Sequence, residues 1–468
     1  MLFNSVEYFL FFLIVIISYY LLPFRFRWVL LLITSYVFYL AWNTNLIILI
    51  LISTITDYVA GIKIEKGKNK KVFLYLSVLV NLGILWTFKY LDFSILNLNY
   101  FLRPLINYQI PFVELILPMG ISFYTFQTLA YTIDVYNGKI KAEKHLGYFA
   151  LYVTFFPQLV AGPIERAGHL LHQLKQRVKF NSTNIKVGST IILWGLFKKV
   201  VIADRLALFV DPVFNDPSEQ NSLVLIIATV FFAFQIYCDF SAYSDIAIGS
   251  AKILGINLMK NFNSPYFSLS ITEFWKRWHI SLSTWFRDYV YIPLGGNRGV
   301  KWKTYYNLLL TFLISGFWHG ANWTFFIWGA IHGMVVVIEK RFSQYPNFKI
   351  PIIVKWFLTM LIVLIAWVFF RSNTVEDTWL IFSRISDFNF ANSLDSIRQV
   401  GINKFDFILS PLVILLLLLI EFFSSNKKEE YVFQSLTFYK KVFAMTVIGF
   451  CILIFGIEDS NQFIYFQF

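Results

Sequence analysis

Cysteine is nearly absent: 468 residues hold two, Cys238 and Cys451, both inside apolar runs, which leaves neither a disulfide framework nor a thiolate metal site. Charge is scarce as well, 14% of residues against 57% hydrophobic and 20% aromatic, with a mean hydropathy of +0.62. That balance lies outside the range of water-soluble globular domains and reads as an all-α polytopic integral membrane protein. No Gly-x-Ser-x-Gly elbow, Walker loop or His-Glu-x-x-His helix occurs, so hydrolase, ATPase and metalloprotease readings lack their minimal residues. No internal repeat is visible, which counts against a transporter or flippase built from inverted halves. No positive charge precedes the first apolar run and "YYLLPFRF" after it offers no small-residue cleavage site, so this segment is expected to stay as a helix.

What the chain does have is a succession of apolar runs: Val6 to Leu22, Trp28 to Ala41, Leu46 to Ala60, Val72 to Phe88, Ile191 to Leu208, Leu223 to Tyr237, Tyr305 to Phe317, Trp323 to Ile338, Ile350 to Phe370, Phe407 to Phe422 and Val442 to Ile457. Several match a bilayer span of about 20 residues; the shorter ones suit helices buried by neighbours or crossing only partly. The net charge of +13 resides in short loops such as "KIEKGKNKK" (63–71) and "KIKAEK" (139–144), the positive-inside pattern of cytoplasmic loops and not a nucleic-acid surface. With the 61–71 loop inside, the "WNTN" turn at 42–45 is external, Arg25 and Arg27 are internal, and the N-terminus lies outside.

Strict alternation fails in the middle. "KIKAEK" and the basic stretch Arg166 to Lys179 both read as cytoplasmic, yet the apolar segment Leu146 to Val160 separates them. A re-entrant or interfacial segment resolves this, and "FFPQLVAGPIER" (155–166) supports it, because two prolines and a glycine break a straight helix and irregular backbone at membrane depth survives only inside protein or a wet cavity. The chain thus divides into conventional spans at 1–110, a core at 111–340 that carries all six histidines and most breaks and intramembrane acids, and further spans at 341–468 joined by a polar stretch, 371–406.

Chemistry concentrates in the core. Ser270 and Glu273 have capping-box spacing, and the residues to Ile292 show helical periodicity. Phe274, Trp275, Trp278, Leu282, Trp285, Phe286 and Tyr289 share one face; Arg277, Ser281, Thr284 and Asp288 line the other. His279 falls at the edge of the apolar arc, with Lys276, Ser283 and Arg287 adjoining on the polar side. In "GFWHGANWTFFIWG" (316–329) the one ionisable side chain is His319, between Gly316 and Gly320, which leave room for a substrate. Ionisable groups at membrane depth are functional candidates by default, although a hydrogen-bonded packing histidine remains the alternative on residues alone. "YIPLGGNRG" (291–299), with Arg298, Lys301 and Lys303, either holds a polyanionic donor or is simply a turn. Asp134, Asp239 and Asp245 lie within or beside apolar runs and are expected to pair with buried arginine or hydrogen-bond neighbouring helices.

"PMGISFYTFQTLAYTIDVYNG", "FFPQLVAGPIER", "IYCDFSAYSDIAIG", "FWKRWHISLSTWFRDYVYIPLGGNRG" and "SGFWHGANWTFFIWGAIHG" together resemble the membrane-bound O-acyltransferase family, in its bacterial branch similar to alginate O-acetylating enzymes, from about Pro118 to Gly333. The resemblance implies a ring of about 11 or more transmembrane helices, with re-entrant or interfacial helices, around a narrow central tunnel in the bacterial cytoplasmic membrane. An acyl thioester, acetyl-CoA for this branch, would enter from the cytosol, and a hydroxyl of an exported polysaccharide, or an extracytoplasmic esterase-like partner, would receive the acetyl group outside. No bound cofactor or metal is implied. By the same resemblance His319 would take the place of the family's histidine and act as general base; His279 would orient the acceptor or steady the oxyanion; Asn322 or Trp318 would donate a hydrogen bond, and Lys276, Arg287 and Arg298 are candidate substrate contacts. A covalent acyl-histidine stays open beside direct transfer, as do D-alanyl transfer to teichoic acid from a carrier protein and O-acetylation of peptidoglycan.

Overall fold

A computed structural model describes residues 1–42, 44–67, 69–105, 108–159, 162–342, 350–390, 393–426, 431, 433–457 and 463–464. Asn43 and Lys68 of the two loops named above, and Val160 and Ala161 of the broken segment, lie outside them. Every regular element among the described residues is helical. Among the described residues six helical stretches are long and apolar enough to cross a membrane: Ile47–Glu65, Lys70–Leu102, Ser222–Ile253, Ile352–Arg371, Lys404–Ser424 and Phe438–Phe455, with Val6–Leu21 apolar but shorter. The chain is an all-helical multi-pass membrane protein.

Two compact units emerge, one of residues 1–189 with 247–259, the other of 190–246 with 260–468. In the first, the helices Ile47–Glu65, Lys70–Leu85 and Ile121–Tyr136 enclose the buried Asp57. A lone carboxylate there would be costly. It is satisfied by the Ser77 hydroxyl, by Asn81 Nδ2 at 2.8 Å and by Thr132 Oγ1 at 2.9 Å, while Asn81 Oδ1 accepts from Ser53 at 2.6 Å. The segment from Leu146 breaks as its prolines demand: one helix runs Leu146–Thr154, Phe155 interrupts, and a single turn follows at Phe156–Leu159. Backbone groups freed by the break are recovered by side chains. Gln127 and Gln158 both donate to the Tyr152 carbonyl, at 2.6 and 2.9 Å, and the Phe156 amide donates to Ser35 Oγ at 3.1 Å.

In the second unit the expected intramembrane acids are paired, with lysine where arginine was anticipated. Lys198 reaches Asp245 at 2.8 Å and Ser241 at 2.7 Å; Lys199 lies 2.8 Å from both Asp204 and Asp239. In the first unit Asp134 meets Lys139 at 3.2 Å. Both buried lysines sit on a π-helical turn, Phe197–Ala203, inside the run read as one span from Ile191. Arginine serves elsewhere: Arg205 pairs with Asp406, and Arg371 with Asp211 at 3.0 Å.

Helices Lys301–His319 and Trp323–Phe342 form a tight hairpin. Their backbones touch through glycine: a Cβ on Gly316 would stand 2.3 Å from the Phe325 carbonyl oxygen, and one on Gly329 2.5 Å from that of Phe312. No larger residue fits without separating the pair, the small-residue logic of membrane helix packing.

Candidate active site

The continuous helix expected from Ser270 to Ile292 is interrupted where the chemistry lies. One helix runs Ile271–Arg277, a second Ile280–Phe286, and a π-turn follows at Arg287–Tyr291. Ser270 does cap the first, accepting from the Glu273 amide at 3.0 Å. The break has a non-local cause. Backbone of the 261–263 segment docks against it: the Ile280 amide donates to the Asn261 carbonyl at 2.8 Å, and the Asn263 amide to the Arg277 carbonyl at 2.9 Å. His279, at the junction, adopts φ +43°, a left-handed conformation that is rare for a side chain of this size and that surrounding structure must impose.

Its ring is fully buried and oriented. Nδ1 lies 3.1 Å from Asn261 Oδ1. That same oxygen accepts from the Ser281 hydroxyl at 2.9 Å, and Asn261 Nδ2 donates to Ser244 at 3.1 Å, so the amide's orientation is set. An accepting Oδ1 requires the proton on Nδ1, which makes Nε2 the basic nitrogen of the neutral ring. Phe240 packs edge-on at 4.5 Å between ring centroids.

His319 ends the helix from Lys301 and is 2% exposed. Trp318, Trp328 and Phe370 wall its ring at 5.0, 4.9 and 5.4 Å. Trp318 also faces His279, at 6.4 Å, so one indole adjoins both imidazoles although 40 positions separate them in the chain.

The other expected site residues divide. Asn322 is committed to the hairpin turn, its Oδ1 accepting from the Thr324 amide at 3.1 Å and its Nδ2 donating to the Asn373 carbonyl at 2.7 Å. Lys276, Arg287 and Arg298 are exposed, unlike the buried imidazoles, and Arg287 pairs with Asp288 at 2.8 Å. The turn bearing Arg298 is pinned by Asn307 Nδ2 donating to the Gly296 carbonyl at 3.2 Å. Two neighbours of the site went unassigned from sequence. Asn261 has no motif to mark it, and His332, fully buried behind Trp328 at 5.0 Å, reads as one more core position in an aromatic helix.

This histidine-centred core falls inside the match to a family model, that of the membrane-bound O-acyltransferase family, at residues 143–375. A relative named "Probable alginate O-acetylase AlgI" from Azotobacter vinelandii is 41% identical over 82% of this chain and 78% of its own length. The chain belongs to the membrane-bound O-acyltransferase family. Also similar are a "Peptidoglycan O-acetyltransferase" of Helicobacter pylori, 38% identical over 74% of this chain and 71% of that protein, and a "Teichoic acid D-alanyltransferase" of Streptococcus thermophilus, 29% identical over 48% and 57%. As a membrane-bound O-acyltransferase, the chain is an enzyme that transfers acyl groups to oxygen.

Proposed function

We propose that this O-acyltransferase moves acetyl groups from a cytosolic thioester, acetyl-CoA, across the bacterial cytoplasmic membrane to hydroxyls of an exported polysaccharide, directly or through an extracytoplasmic partner. The observation that carries the reading is the pair of buried imidazoles flanking Trp318. His319 takes the proton of the attacking hydroxyl as the new C–O bond forms; the C–S bond then breaks, and the proton passes to the departing thiolate to leave free CoA. His279, its Nδ1 engaged by Asn261, orients the acceptor or steadies the oxyanion. In this reading further helices join the six long spans in a ring around a bore that admits the two reactants from opposite sides.

The test is thiol release from acetyl-CoA by purified protein in detergent, with ester formed on an added glycan. His319→Ala is expected to lower turnover by about 10³-fold, within the usual span of a lost general base, at unchanged melting temperature. Wild-type turnover in that variant removes His319 from the mechanism. Turnover that requires an acyl-loaded carrier protein would point instead to the D-alanyl branch, and ester formed on peptidoglycan alone to that acceptor.

A further inference from the structure

His332 stands 13 positions after His319 on the helix Trp323–Phe342, fully buried among Trp328, Trp275, Phe274 and Phe312 at centroid distances of 5.0, 5.1, 6.4 and 6.4 Å. Neither ring nitrogen has a hydrogen-bond partner among the described residues, and the same is true of Trp328 Nε1 and of the buried Thr324 hydroxyl. Thr324, Trp328 and His332 are spaced four apart, so they form one stripe along the helix, and Trp328 contacts His319 as well as His332. Packing does not account for this composition. A buried imidazole left unsatisfied carries a desolvation cost that an apolar ring of the same shape avoids.

The stripe also has a direction. Lys301 and Lys303 begin one helix of the hairpin, Lys340 and Arg341 end the other, and Lys340 lies 2.5 Å from Asn297 of the adjoining basic turn, so the cations gather at the end opposite His319. By the positive-inside rule that end is cytosolic, and His332 lies between it and His319.

We propose that the stripe of Thr324, Trp328 and His332 binds the pantetheine arm of the thioester donor, His332 hydrogen-bonding its amide groups. A neutral imidazole offers one donor and one acceptor, the complement of an amide. The inference rests on the thioester reading above and names the part of the donor that these residues hold. The arm is common to acetyl-CoA and to an acyl carrier protein, so both are tested as donors.

Purified wild type and His332→Phe are compared on acetyl-CoA, on an acetyl-loaded carrier protein, and on ethyl thioacetate, which has the thioester but no amide arm. For whichever arm-bearing donor wild type uses, His332→Phe is expected to raise KM about tenfold, the scale of one lost hydrogen bond. The rate constant kcat and the ethyl thioacetate reaction stay within about twofold, and the melting temperature holds or rises. His332→Gln, which keeps hydrogen-bonding capacity, is expected to recover most of the loss. Thr324→Val, which exchanges a hydroxyl for a methyl of the same shape, gives a smaller KM rise and serves if His332→Phe does not fold. An unchanged KM for arm-bearing donors, or an equal loss on ethyl thioacetate, overturns the proposal. Wild type that consumes no thioester overturns the donor reading itself, a separate outcome.

Discussion

Two buried polar regions of this chain are handled in opposite ways. Around Asp57 every oxygen of the carboxylate has a donor, supplied by hydroxyls and an amide from the two helices packed against its own. Around His332 polar atoms of four side chains, Thr324, Trp275, Trp328 and the histidine itself, are buried with no hydrogen-bond partner among the described residues. A closed network is what membrane helices need to stay together, since an unsatisfied polar group in hydrocarbon is expensive. Polar atoms left open, beside two imidazoles that flank one indole, are the ones to which the proposed donor site assigns missing partners.

Substitutions can separate these roles. In the histidine region the largest expected effect, after His319 itself, follows His279→Phe: turnover falls about 10²-fold, as for loss of one oxyanion or orienting contact, while thermal unfolding hardly moves. Asn261→Leu is expected to lower turnover in the same direction by freeing the ring. Full activity in both would leave Trp318 as a wall with chemistry on one side only.

Next in size is the hairpin that presents His319. Gly316→Ala places a methyl 2.3 Å from the Phe325 carbonyl oxygen, where backbone and not a flexible tip must give way. A stability loss of about 1–3 kcal/mol is expected, the range for overpacking, and activity per folded molecule should fall with it because His319 ends the displaced helix. Differential scanning fluorimetry alongside thiol release checks both. A variant as stable as wild type would show that the helices are not held at backbone contact.

In the Asp57 region the sign reverses: stability responds and catalysis does not. Asp57→Ala strands the donors on Asn81, Ser77 and Thr132, at about 1–3 kcal/mol for buried groups left unmade. Asp57→Asn, which keeps an acceptor, should lose less. Activity per folded molecule is expected to match wild type, measured as turnover normalised to the native fraction. An Asp57→Ala protein that is stable but inactive would break the contrast and make this cluster part of the reaction.

Much of this contrast can be read from the chain, and the part that cannot has a physical reason. The broken segment at Phe155 follows from its prolines, and His319 between glycines on an aromatic helix is conspicuous because nothing else near it ionises. The break at His279 is hidden, since periodicity from Ser270 to Ile292 is helical throughout and the interruption is imposed by hydrogen bonds from residues 261–263, distant along the chain. Partner identity is hidden for the same reason. Asp239 and Asp245 announce a need for cations, but which ones arrive depends on the π-turn that buries both Lys198 and Lys199. His332 shares its stripe with Trp328 and Thr324, so on sequence it is indistinguishable from core; only the absence of a hydrogen-bond partner among the described residues sets it apart.

The smallest expected effect lies in the first unit, outside the spans, where a polar contact is neither sealed nor open but titratable. His169 Nδ1 lies 2.7 Å from the buried Glu165 carboxylate, whose other oxygen accepts from the Met259 amide at 2.5 Å. The hydrogen bond to Glu165 raises the histidine's pKa above its ordinary 6.5, against the opposing effect of partial burial. A raised folded-state value means that the pair's contribution to stability is complete below pH 6.5 and is lost as pH climbs through the raised pKa. The imidazole is nearly half exposed, so solvent screens the pair and the effect is small. Melting temperature measured from pH 5.5 to 8.5 should therefore decline slightly more in wild type than in His169→Gln, with the two curves separating most at the acidic end. Parallel curves would mean that Glu165 is held by the Met259 amide alone and that the histidine only decorates it.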